Sequence, residues 1–287
     1  MNQVLGYVYV LMAGICFGFL GIFGRIAFQQ GLTVGELLTY RFCLASLILW
    51  FLLLVFKPKL IRLPIKQVLI SILLGCFGYA VFSTLYFMSI QGISVALAAL
   101  LLFTFPVFVN IGAHFILKER MQKTQLISLI MAISGLIILL WGPLFVQSFK
   151  SVVYALLAAL AYAVYVLVSG RLQKGVEPLS SSLYVITAAA VTLFLWHLPN
   201  MQKLVYLNIN ELFTILGLAV VCTVIPLTLF LSGLQRLSSS KASIVVMIEP
   251  VVAAIAAWMI LDEKMSFNQS LGSCLVVCAL FLNTKKG

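Results

Sequence analysis

Residues 103–120, FTFPVFVNIGAHFILKER, and residues 247–264, MIEPVVAAIAAWMILDEK, decide how this chain is built. They lie 144 positions apart and share, without a gap, Pro106/Pro250, Val107/Val251, Ile111/Ile255, Ala113/Ala257, Ile116/Ile260, Leu117/Leu261 and Glu119/Glu263. Extending the register over 86–125 adds Gln91/Gln235, Ser94/Ser238, Ala98/Ala242, Met121/Met265 and Gln125/Gln269. That makes twelve identities in forty positions, where so biased a composition gives roughly one in ten by chance. Gly31/Gly175, Tyr40/Tyr184 and Ala45/Ala189 keep the register further out. The chain therefore reads as two copies of one unit, residues 1–143 and 144–287.

The solvent of those units follows from composition. Of 287 residues 63% are hydrophobic and 9% charged, with a mean hydropathy of +1.19. A soluble domain has too little interior to hide that much apolar side chain. Apolar runs fall at 4–27, 34–56, 67–90, 94–117, 124–145, 150–170, 180–198, 211–233, 241–261 and 267–283, each near the roughly 20 residues that cross a bilayer. The breaks between them carry polar or turn residues, such as Gln29-Gln30-Gly31, Lys57-Pro58-Lys59, Gly142-Pro143 and Pro199-Asn200. The expected fold is an all-α membrane protein of ten transmembrane helices. Five spans per copy is an odd number, so the second copy should lie upside down relative to the first.

Basic residues set the orientation. With the N-terminus inside, the cytoplasmic loops collect Lys57, Lys59, Arg62, Lys66, Lys118, Arg120, Lys123, Arg171, Lys174, Arg236, Lys241, Lys285 and Lys286. The outer side collects Arg25, Lys150, Lys203 and Lys264. This bias places both termini in the cytoplasm. It also accounts for the net charge of +11 through membrane lipids rather than a nucleic-acid partner. The first run lacks a basic segment before it and nine more follow, so it reads as a helix and not a signal peptide.

Other function classes lose support. No Gly-rich loop ending in Gly-Lys-Ser/Thr points to ATP, no His-Glu-x-x-His points to zinc, and Asp262 is the only aspartate. The six cysteines, Cys16, Cys43, Cys76, Cys222, Cys274 and Cys278, fall inside apolar runs and read as small packed thiols. No cofactor, metal or enzymatic activity is expected. Inverted repeats instead suit a secondary transporter, in which two quasi-equivalent halves exchange conformations around a midplane site.

The residues also carry a resemblance. Phe103-Thr-Phe-Pro-Val-Phe with Leu117-Lys-Glu-Arg, its partner Ile248-Glu-Pro-Val-Val with Leu261-Asp-Glu-Lys, and Tyr40-Arg41-Phe42-Cys-Leu-Ala resemble the EamA family of the drug/metabolite transporter superfamily. The resemblance covers essentially the whole chain. It implies ten helices in a bacterial inner membrane, a cavity lined by helices 1, 3, 4, 6, 8 and 9, and export of amino acids or related metabolites. The first helix departs from it, reading Phe17-Gly-Phe where many relatives carry Trp-Gly.

Candidate site residues follow from chemistry. Glu249 is the one carboxylate deep in an apolar run, where a charge costs about 2.5–3.5 kcal/mol on insertion scales and so calls for a cavity or partner. Pro250 beside it cannot donate its N–H, which should leave a carbonyl one turn earlier free; Pro106 and Pro250 are the expected hinges. Asn110 and His114 share a face with Pro106, and their repeat partners are Ala254 and Trp258. Arg41 has three readings, of which pairing with Glu36 or snorkelling is favoured over attraction of an anionic ligand. Gly14, Gly18, Gly21 and Gly24 form a stripe that reads as close helix packing first and a cavity wall second. Their counterparts include Tyr162 and Tyr165, which offer rings and hydroxyls to a metabolite, with Phe17, Tyr79 and Tyr86 as further aromatic candidates. Glu119, Asp262 and Glu263 read as loop determinants or gates.

The expected cargo is a small zwitterionic or amphipathic metabolite, amino acids or derivatives first, moved by alternating access with protons as a candidate coupled ion. The alternative cargo is a cationic drug or nucleoside-like cofactor metabolite, with Glu249 as counter-ion. An intramembrane lipid-modifying enzyme would need a catalytic polar cluster at one interface, which the sequence lacks, and a non-transporting scaffold would leave the symmetry unexplained.

Overall fold

A computed structural model describes residues 3–119, 121–141, 146–199, 207–261 and 264–284. Arg120, Gly142, Pro143, Asn200, Lys203, Asp262, Glu263, Lys285 and Lys286 lie outside them. Ten apolar helices occur among the described residues: α1 (Gln3–Gln29), α2 (Val34–Phe56), α3 (Ile65–Ser89), α4 (Val95–Ile116), α5 (Lys123–Leu139), α6 (Phe149–Leu172), α7 (Pro178–His197), α8 (Ile209–Leu234), α9 (Ser239–Ile260) and α10 (Phe267–Thr284). Nine are long and apolar enough to cross a membrane; α5, with 17 residues, is shorter. The apolar run at 124–145 thus yields a helix that stops at Leu139, just before Gly142-Pro143, which cannot continue it. The sole β pairing among the described residues is a bridge between Ile93 and Val146.

Turn chemistry shapes both copies alike. Thr33 and Glu36 form a reciprocal capping box that starts α2. Gly31 (φ +82°) and Gly175 (φ +84°) take the left-handed conformation after α1 and α6, a backbone state that suits glycine. Ser94 caps α4 through the Leu97 N–H, and Ser238 caps α9 through the Lys241 N–H. Both α3 and α8 contain a π-helical stretch, Leu74–Ala80 and Val220–Val224. The glycine turns, the serine caps and the π-helical stretches have counterparts in or near the 144-residue register, whereas the start of α7 at Glu177 has no side-chain cap to match the Thr33 box.

Helix packing follows the same scheme. α5 lies against α10 and α2 against α7, while α1 meets α8 and α9, and α6 meets α3 and α4. Adding five to every helix number turns each of these pairings into another of them. The principal seams therefore join the first half to the second. Where α5 crosses α10, a Cβ on Gly272 would press on the backbone of Leu139 and Gly135, so glycine lets the two backbones touch. The Tyr7 hydroxyl donates to the Asn283 carbonyl at 2.9 Å, which puts the start of α1 and the end of α10 at one end of the bundle, the termini end.

The cysteines are free thiols; Cys222 is buried, whereas Cys274 and Cys278 are exposed on α10. That corrects the reading of all six as packed, because α10 turns that face away from the bundle.

Candidate functional site

Three of the long helices are broken in mid-span. α1 is interrupted between Gly18 and Leu20, with the Phe19 N–H bonded to the Cys16 carbonyl. α4 breaks at Phe103 and Thr104, and α9 tightens to a 3-10 turn over Val246–Ile248. The second segments then begin with Phe105-Pro106 and Glu249-Pro250. Proline at a helix start sacrifices no hydrogen bond, since that N–H has no partner in any helix. The free carbonyl expected one turn before Pro250 is accordingly not free: Val246 O accepts from the Glu249 N–H. Its N-terminal place sets the Glu249 carboxylate at the positive end of a half-helix dipole.

Arg41 is the residue whose setting the sequence conceals. It is 2% exposed, so it does not snorkel. Its Nη2 donates to the Cys222 carbonyl at 2.7 Å, and its Nε donates to the Thr223 hydroxyl. The Cys222 carbonyl is open to it because the residue four positions on is Pro226, which has no N–H to give. Thr223 in turn donates to the Leu218 carbonyl at 2.8 Å, a five-residue step that belongs to the π-helical stretch of α8. The Tyr79 hydroxyl, from the matching stretch of α3, approaches the same guanidinium, and Tyr79 and Thr223 are themselves repeat partners. Glu36 does not pair with Arg41: its carboxylate accepts from the Thr33 N–H at 2.8 Å.

Glu249 lies within electrostatic reach of Arg41, Tyr79, Tyr86, Tyr162 and Cys222. It is half-buried and makes no side-chain hydrogen bond to a described residue. Aromatic rings build the wall beside it. Tyr162 stacks on Phe82 with centroids 4.7 Å apart and leans on Phe105 at 4.5 Å. Tyr79 meets Phe42, Phe82 and Tyr165 edge-on at 5.5, 5.1 and 5.5 Å. The buried hydroxyls of Tyr165 and Ser169 approach each other and have no further hydrogen-bond partner among the described residues. Phe105 joins this cluster as the repeat partner of Glu249, and Phe82, Phe42, Thr223 and Pro226 are members that residue-type reasoning passed over. The signal for two of them was present in a threonine and a proline three apart in mid-span.

The glycine stripe of α1 divides at this level. A Cβ on Gly14 would meet Ile248, and one on Gly18 would come within 2.9 Å of the Glu249 carbonyl, so the lower half packs tightly on α9. Gly21 and Gly24 have nothing within 4 Å of such a Cβ. Both readings of the stripe thus hold, each for one half. Open space begins one turn beyond Glu249, on the side away from the termini. Their repeat partners there are Tyr165 and Val168, so one half fills with side chain what the other leaves open. Gly18→Ala is accordingly expected to lower the melting temperature in detergent, at an overpacking cost of about 1–3 kcal/mol. Gly24→Ala, with room for its methyl group, should melt within a degree or two of the parent; equal losses from both would contradict the open space.

The remaining candidates scatter. Asn110 is buried and donates to the Pro106 carbonyl at 2.7 Å, leaving its Oδ1 without a partner. Phe17 is buried in the core. His114 and Trp258 stand exposed on the bundle surface, away from the Arg41–Glu249 cluster. Among the described residues no group of three His, Cys, Asp or Glu is placed to hold a metal.

At the termini end the halves are closed together. Glu119 accepts from the Ser240 hydroxyl at 3.1 Å, and Arg171 donates to the Ile116 carbonyl at 3.2 Å. Arg236 lies 5.0 Å over the Tyr9 ring. Across the halves, Gly6, Gly112 and Gly233 lie so close to Leu237, Leu167 and Val10 that a Cβ would collide with them, and within the second half Gly170 does the same against Ser239.

The chain is similar to known proteins along its length. An EamA-like transporter model matches it twice, over residues 4–141 and 149–285. An uncharacterised transporter of Bacillus subtilis, YcbK, is 27% identical over 279 residues, covering 93% of this chain and 88% of that protein. An uncharacterised transporter of Archaeoglobus fulgidus is 26% identical over 71% of this chain and 74% of its own length. A crystal structure at 16% identity superposes with a TM-score of 0.83 over 99% of this chain and 97% of the other, which shows a common fold. The protein is a multi-pass membrane transporter of small molecules, and the chain belongs to the EamA-like transporter family.

Proposed function

We propose that the chain exports a small metabolite with an amino group and an apolar or aromatic portion, amino acids and their derivatives first, across a bacterial inner membrane. The observation that carries this reading is Glu249: a carboxylate at the start of a half-helix, between the two halves, beside open space and a wall of rings. It has no hydrogen-bond partner among the described residues, while the nearby Arg41 has several. A ligand ammonium supplies the missing donor, and the faces of Phe82, Phe105 and Tyr162 accept the apolar remainder.

In this reading ten helices span the membrane as two inverted five-helix repeats, 1–143 and 144–287, with both termini cytoplasmic. The double family match, the paired glycine turns, the paired serine caps and the helix pairings that survive a shift of five support it. Alternating access then proceeds by rocking at the broken helices, with Pro106 and Pro250 beside the hinges. The termini end is closed and the Gly21–Gly24 side open, so this conformation faces outward. Asn110, on the same half-helix as Phe105, offers its unpartnered oxygen as a further contact in this reading, and His114 and Trp258, exposed on the bundle surface, do not.

The ring wall also favours organic cations as the second cargo class. Thermal-shift screening against amino acids, aromatic amines and adenosyl compounds separates the two, because a ligand raises the melting temperature by mass action. Uptake of the hit into proteoliposomes across a pH gradient then tests protons as the coupled ion. Flux of the parent is expected to respond to the gradient and flux of Glu249→Gln to ignore it; pH-independent, undiminished uptake by both removes the coupling.

A further inference from the structure

The two halves carry one loop device in two different states. At the termini end, Gln235 between α8 and α9 clamps the turn between α6 and α7. Its Oε1 accepts from the Gly175 N–H at 2.6 Å, and its Nε2 donates to the carbonyls of Gln173 and Val176 at 2.8 and 3.2 Å. The carboxamide thus ties the loop that ends α6 to the loop that starts α9.

Every part of this clamp recurs at the opposite end. Gln91 is the repeat partner of Gln235, and Gly31 that of Gly175. The two glycines share their left-handed turn, at φ +82° and +84°, and Ser94 and Ser238 cap the following helices in the same way. The backbone at the two sites is therefore set up alike, yet the side chains differ. Gln91 is exposed and its carboxamide makes no hydrogen bond to a described residue. The Gly31 N–H donates instead to the Phe28 carbonyl, at 3.0 Å. A glutamine that recurs in register, beside a glycine that recurs in register, makes three bonds in one half and none in the other.

We propose that Gln235 and Gln91 are reciprocal latches. Gln235 holds the termini end shut in the conformation described here. In the opposite conformation Gln235 lets go, and Gln91 takes the Gly31 N–H and the carbonyls of Gln29 and Leu32, closing the other end. Cross-half contacts already distinguish the two ends. Ser240, which donates to Glu119 across the halves at the termini end, has Ala96 as its counterpart, and within the second half the closely packed Gly170–Ser239 pair corresponds to Ile26 and Val95 in the first. The end closed by Gln91 lacks these supports, although Gly92 beside it accepts from the Gln147 and Ser148 N–H groups of the second half at 2.9 and 3.2 Å. This inference rests on the inverted-repeat reading.

Hydrogen–deuterium exchange of the full chain in nanodiscs tests it, following peptides over 27–34 and 88–95 at one end and 169–178 and 232–240 at the other. Gln235→Ala is expected to speed exchange at the termini end by about tenfold, since three hydrogen bonds are lost, and to slow it at the opposite end. Gln91→Ala is expected to slow exchange at the termini end, because it removes what stabilises the alternative state. Gln235→Glu keeps the acceptor for Gly175 and loses both donors, so it should fall between Gln235→Ala and the parent. Faster exchange at both ends in both variants, or no change in either, overturns the latches. The repeat reading fails differently: an impermeant thiol reagent applied to intact spheroplasts should label Gln30→Cys and spare Lys174→Cys in a background lacking the native cysteines. Labelling of both from the same side sinks the inversion itself.

Discussion

Arg41→Met is expected to abolish transport and to cost the fold about 3–5 kcal/mol, the usual penalty for removing one partner from a buried charged network. Three groups lose their complement at once. The Cys222 carbonyl has no backbone donor to fall back on, because Pro226 stands where that N–H belongs. Thr223 keeps its bond to Leu218 and loses the guanidinium that fixes it from the other side. Glu249 loses the positive charge that offsets its own within the span. Arg41→Lys should rescue little, since an ammonium lacks the planar fork that reaches a hydroxyl and a carbonyl together. Thermal melting in detergent and uptake in proteoliposomes check both effects. A lysine variant that melts and transports like the parent would remove the fork from the account.

Glu249→Gln should behave in the opposite way. The replacement has the same shape, and the carboxylate it removes has no hydrogen bond to a described residue to lose. Melting is therefore expected to stay within a few degrees of the parent. Transport is expected to fall by at least about tenfold, because a charge-assisted hydrogen bond to a ligand ammonium contributes about 1.5–3 kcal/mol. The two variants thus separate a residue that builds the site from one that serves the cargo. Comparable loss of stability in both would place Glu249 in the scaffold alone.

The sequence made the architecture legible because symmetry and hydropathy are carried by many residues at once. The gap-free 144-residue register pairs Gly31 with Gly175 and Ser94 with Ser238, and the structure gives each pair one role, a left-handed turn and a helix cap. The site was legible only where a residue type is costly in a membrane. Glu249 stood out for that reason. Arg41 stood out too, but its place near the start of α2 favoured snorkelling, and only packing against α8 shows where the side chain goes. The partners that bury it are a backbone carbonyl and a threonine from the other half of the chain, 181 and 182 positions away. Pairings of that range leave no local pattern to read. His114 and Trp258 failed as neighbours of Glu249 for a related reason: a shared helix face fixes direction around the axis, and which direction faces the core depends on the helices packed against it. The glycine stripe was ambiguous because absence of a side chain serves close contact and open space equally, and here it serves both.

The central claim is that this protein moves its cargo through the site at Glu249. Counterflow measures that most directly. Proteoliposomes are preloaded with the compound that most raises the melting temperature, and entry of the labelled compound is followed for the parent, for Glu249→Gln and for empty liposomes. Rapid, saturable entry is expected with the parent, and entry near the empty-liposome level with Glu249→Gln. Undiminished saturable counterflow by Glu249→Gln would contradict it.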